Sequence, residues 1–129
     1  MPSLQLLALT GLVVFFACAI PAGRSDIRRW QVPALLAAAF FAYSLWPILT
    51  MGPLGFLPEH IRNPWAVQIG FDLFCAIGVG WALLAPRARA AGMVPWPWLA
   101  LIVATGSIGL LAMLARVLYR EGSAATATA

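Results

Sequence analysis

The residue in this chain whose setting most demands a chemical explanation is Asp72, a carboxylate inside the apolar run Gly70-Phe71-Asp72-Leu73-Phe74. An acid within a hydrocarbon-soluble helix costs about 2.5–3.5 kcal/mol near the helix centre, so it is read as functional or as paired. Arg116, near the end of the last apolar run, is the expected partner, its long side chain reaching inward from an antiparallel neighbour. Gln68 stands one turn before Asp72 on the same helical face and is placed to add a hydrogen bond. Asn63, just ahead of that helix, completes the candidate set for ligand or proton binding: Asp72, Arg116, Gln68 and Asn63.

Other reactive side chains form no constellation. Glu59, His60 and Arg62 lie together between apolar runs, but zinc needs three or four converging ligands, so neither a metal nor a cofactor is expected. Cys18 and Cys75 lie far apart within apolar runs and read as buried small residues. No nucleophile–base set, phosphate loop or carboxylate pair is present, and an enzyme is not expected. The net charge of +4 comes from eight arginines and no lysine against four acids. These arginines form no stripe interleaved with aromatics, which argues against nucleic acid as a partner.

The elements that must position these residues follow from composition. With 63% hydrophobic and 9% charged residues, the chain is far more apolar than a soluble domain, which runs near half apolar and a quarter charged. Four apolar stretches predict an all-α integral membrane bundle of four transmembrane helices, at about residues 3–20, 32–50, 65–85 and 97–119. Each is long enough to cross a hydrocarbon layer at 1.5 Å per residue. Such spans must be helical, because lipid offers no partner to exposed backbone groups. Residues 1–120 make one domain, and the small polar segment 121–129 predicts a disordered tail. The first stretch lacks a positive leader, and Phe15-Phe16-Ala17-Cys18 matches a lipoprotein box poorly, so it reads as a retained helix.

Trp30, Trp46, Trp65, Trp81, Trp96, Trp98 and Tyr119 fall at or near the predicted helix ends, which fits an aromatic belt at the headgroup boundary. Arg24, Arg28 and Arg29 of the first connection, with Arg87 and Arg89 of the third, outnumber Arg62, Arg116 and Arg120. The positive-inside rule then places both termini outside the cytoplasm, in a multi-pass protein of the inner (plasma) membrane. Spaced small residues (Ala34, Ala38 and Ala42; Ala66 with Gly70; Ala76 with Gly80; Thr105 with Gly109) suggest close helix–helix contact, chiefly between the third and fourth helices. Alanine, arginine and proline usage without lysine is a habit of GC-rich bacterial genomes.

From Trp46 onward, over about residues 46–122, the chain resembles a family of small uncharacterised bacterial integral membrane proteins, classed as a domain of unknown function. The resemblance rests on Asn63-Pro64 with Ala66, on Asp72-Leu73, and on the basic turn Pro86-Arg87-Ala88-Arg89-Ala90-Ala91-Gly92-Met93. Trp96 or Trp98 opening the last helix and Leu118-Tyr119-Arg120-Glu121 closing it are similar too. The family's usual proline near the end of that helix is replaced here by Ala112 to Ala115. The resemblance implies architecture and no activity.

Three functions compete on this reading. The leading one is a non-enzymatic accessory or structural subunit of a larger membrane complex, with the lipid bilayer as its other partner. A second is a small homodimeric, proton-coupled transporter working through Asp72. The third is a binder of a lipid-soluble ligand in a groove lined by Tyr43, Trp46, Phe71 and Phe74.

Overall fold

The computed structural model describes the backbone of residues 2–22 and 29–127, and the side chains of 4–19 and 29–126. It is all-α: α1 Pro2–Ala22, α2 Gln31–Met51, α3 Phe56–His60, α4 Pro64–Ala90, α5 Trp96–Thr105 and α6 Ser107–Ala127. Two helices, α2 and α4, are long and apolar enough to cross a membrane, rather than the four expected. Over the residues whose side chains are described, the first apolar stretch is the shorter helix Leu4–Ala19.

The larger departure concerns the expected fourth span, 97–119. It is two helices, broken at Gly106, where φ is 62° and ψ −127°. That backbone is open to glycine and strained for any residue with a Cβ. The chain reverses there, and α6 runs back antiparallel to α5. A Cβ built on Gly109 would stand 2.8–2.9 Å from the backbone of Ile102 and Leu101, so the two helices meet main chain to main chain. Apart from Thr105-Gly106-Ser107 the run from Pro97 to Ala115 is apolar, and no charge marks the reversal.

α6 is the central helix and packs against α2, α5 and α4. Gly106 abuts the Ile77 side chain, Gly80 faces Leu110, and Arg87 bonds Glu121. Both numbers rise together, so α4 and α6 run parallel. The ring of Trp30, at the start of α2, meets Tyr119 edge-on at 5.5 Å between centroids, and α2 therefore runs antiparallel to α6. The start of α2, the end of α4, the start of α5 and residues 116–121 of α6 consequently gather at one end, the basic end. α3 and the start of α4 form the far end.

The core is one-sided. Leu84, Ala88, Met93, Ile102, Met113 and Val117 are buried together, with Ile77, Trp81, Trp98, Leu110 and Leu114 against them. All belong to the half of the molecule that the α5–α6 hairpin fills. In the other half, large apolar side chains stand open: Leu49 is 82% exposed, Trp65 76% and Phe74 69%.

Local chemistry sets the remaining boundaries. The extended Asn63 caps α4, its Oδ1 accepting from the Ala66 amide at 3.0 Å with Pro64 next in line; proline fits this first helical position, where no amide is needed. α4 continues through Pro86 to Ala90, beyond the expected end at 85. It closes where the Met93 amide donates to Ala88 carbonyl at 2.8 Å around Gly92, φ 69°. α6 continues to Ala127, where a disordered tail from 121 was expected.

Candidate functional site

Two sets of polar side chains result. At the far end, α3 folds back on α4. His60 donates from Nδ1 to the Phe56 carbonyl at 2.8 Å, its ring meets Phe56 edge-on, and it lies beside Gly70. Glu59 pairs with Arg62 at 3.1 Å, both well exposed. These contacts are local, and such exposed pairs contribute about 0–1 kcal/mol. Among the described residues, no three His, Cys, Asp or Glu side chains gather to hold a metal.

Asp72 lies on the exposed surface of α4, in the half left open by the hairpin. No hydrogen bond or ion pair joins it to any described residue, and Gln68, also exposed, makes none to it. The expected Asp72–Arg116 pair is not formed. Because the chain reverses at Gly106, Arg116 lies level with the last turns of α4. That is roughly 20 Å from Asp72 along the axis at 1.5 Å per residue. Asn63 is accounted for as the α4 cap. Among the four candidate residues, no side-chain hydrogen bond or ion pair is formed. Phe71 and Phe74 are exposed, and Tyr43 meets Trp46 along α2 itself.

The basic end carries the constellation that sequence reasoning missed. Arg87 binds Glu121 in a two-bonded fork, Nε to Oε1 at 3.2 Å and Nη2 to Oε2 at 2.8 Å. This planar match is the stronger kind of charged pair. Arg120 donates to the carbonyls of Ala91 and Gly92, both at 3.4 Å, meeting the negative end of α4. Arg116 lies over the Tyr119 ring at 5.6 Å, within range of a cation–π contact. Two grooves meet at Arg116 and Tyr119. The upper, of about 590 Å³, also touches Arg120, Glu121 and Ser123. The lower, of about 410 Å³, runs down between α2, α5 and α6. The signal available in sequence was the i, i+4 spacing of Arg116 and Arg120 beside Tyr119 and Glu121, but it gains meaning only once the hairpin returns those residues to α4.

Of the six arginines among the described residues, Arg29, Arg87, Arg89, Arg116 and Arg120 belong to the basic end, and Arg62 alone to the far end. Arg24, Asp26 and Arg28, which enter the expected orientation, lie outside the described residues.

No family model, no curated protein and no solved structure matches this chain.

Proposed function

We propose that this chain is a multi-pass protein of the plasma membrane that serves as a non-enzymatic accessory or structural subunit, docking another membrane protein through its open half. The membrane part of the reading is supported by α2 and α4, each long enough to span, and by the exposure of nearly every large apolar side chain along them. Ile77, where the hairpin tip abuts, is the central residue of α4. Taking it as the bilayer midplane puts Arg87 and Trp65 about 15 and 18 Å away on opposite sides, near the edges of a ~30 Å hydrocarbon layer.

On this frame α5 and α6 form a re-entrant hairpin that enters and leaves on one side. Five described arginines against one then favour the basic end as cytoplasmic. The C-terminal end of α6 belongs with them, opposite to the orientation expected from four full spans.

The observation that carries the docking part is Asp72. It stands about 7–8 Å from the midplane, by the rise per residue, among Phe71, Leu73 and Phe74, with no polar partner in the described chain. An intramembrane acid is held by a partner or a water-lined cavity; with none among the described residues, a second protein supplies it.

The test is extraction of the tagged full chain in mild detergent, followed by native mass measurement, for the wild type and Asp72→Asn. A second protein in fixed ratio is expected with the wild type and its loss with Asp72→Asn, helicity unchanged. A single copy that carries nothing would end the subunit reading. A homodimer lost in Asp72→Asn would transfer the role to self-association, as the carrier alternative requires.

A further inference from the structure

At the basic end, four arginines of the described chain (Arg29, Arg89, Arg116 and Arg120) have no carboxylate partner among the described residues, because Glu121 is taken by Arg87. Arg116 differs from the others in lining both grooves, the upper one edged by Arg120 and Glu121 and the lower one almost wholly apolar. Below it, the lower groove is walled by Ala34, Ala37, Ala112 and Ala115 and flanked by Trp98. The small side chains are what make room there. Above it, the upper groove passes between α4 and the last turns of α6, beside Arg120.

The depth of Arg116 matches this division. It follows Ser107, at the hairpin tip, by nine residues, or about 14 Å of helix. With the tip at the midplane this is the boundary between acyl chains and headgroups, about 15 Å out. Trp30 and Tyr119, paired at the same level, are of the types that favour that boundary.

We infer that this junction binds one anionic glycerophospholipid, its phosphate against the Arg116 guanidinium and one acyl chain in the alanine-walled groove below. The inference rests on the membrane reading above. A neutral lipid-soluble ligand would leave the guanidinium unmatched at the mouth, and free phosphate would leave the apolar groove unfilled. Arg116 supplies charge and direction, and basic pockets between helices on the cytoplasmic side are where anionic headgroups are recognised.

The experiment uses the full chain, washed as membranes at alkaline pH, extracted in detergent, and offered equal amounts of dioleoyl phosphatidylglycerol and dioleoyl phosphatidylcholine. Native mass spectrometry reads the ratio of the two bound forms. About a fivefold preference for phosphatidylglycerol is expected, the effect of one arginine at such a surface. Arg116→Gln should abolish it, while Arg116→Lys and, at the far end, Arg62→Gln retain it. Ala112→Leu, which fills the groove without changing charge, should lower retention of phosphatidylglycerol and keeps the test decisive if Arg116→Gln does not fold. Equal binding of both lipids, selectivity surviving in both Arg116→Gln and Ala112→Leu, or displacement of the lipid by an equal concentration of inorganic phosphate would each overturn the proposal. Release of the chain by the alkaline wash would instead remove the membrane reading itself, before any lipid is added.

Discussion

Residue scale shows best how one side chain type takes different work from its surroundings. Asn63 and Asp72 are nine positions apart, one just ahead of an apolar run and the other inside it, yet Asn63 is satisfied locally and Asp72 is not. The Asn63 side chain takes one of the four amides that a helix start leaves open. Replacing it by alanine should therefore destabilise the chain by about 0.5–2 kcal/mol, with Asn63→Ser nearly neutral. Denaturant unfolding in detergent reads the difference, and a loss equal for both variants would argue against the cap. Asp72→Asn, by contrast, should leave the isolated chain's stability little changed and alter only what travels with it. The sequence marks both residues, because a polar side chain before proline and an acid amid phenylalanines stand out on composition alone. Their partners were not legible: an Asn-Pro pair reads as a cap or as a site, and choosing Arg116 for Asp72 needed the direction of α6.

At the scale of elements, the legible features were those set by local chemistry. α2 and the start of α4 fall within a residue of the expected positions, since charged or turn-forming residues flank them. α4 runs past the expected end at 85 to Ala90 with Pro86 inside it, since a helix can continue past proline at the loss of one hydrogen bond. The α5–α6 reversal was hidden for a different reason. Residues 97–119 have the length and hydropathy of one span, and a half-depth hairpin has the same two properties. Thr105-Gly106-Ser107, with Gly109 three residues on, was the available hint, and it read as a small-residue contact between helices. Close contact is there, but between the two halves of that single expected helix. Gly109→Ala should consequently force the α5 and α6 backbones apart and cost about 1–3 kcal/mol, the scale of overpacking. Gly80→Ala meets only the end of the Leu110 side chain and should cost clearly less. Parallel unfolding curves of the two variants give the order, and equal losses would sink the hairpin geometry.

For the whole molecule, the decisive property is the unequal filling of its two ends. Every buried apolar side chain among the described residues belongs to the half holding the α5–α6 hairpin, and five of six described arginines cap that same half. Composition showed the apolar excess without its distribution, because the asymmetry arises from where the chain turns back. The orientation drawn from this can be checked by reporters fused after Ala127 and inserted between Met51 and Phe56. The C-terminal reporter should be active on the cytoplasmic side and the inserted one on the outside. The reverse pattern, or both on one side, would contradict it.

The turn at Gly106 also bears on how such a chain is made. A hairpin that starts and finishes on one face of the bilayer carries no charged side chain through the hydrocarbon. On the membrane frame proposed above, Arg116, Arg120 and Glu121 remain on the side where the ribosome delivers them, and only the uncharged run from Trp98 to Ala115 has to enter. The last third of the protein can thus be threaded between α2 and α4 after those helices are in place, with no translocation step of its own.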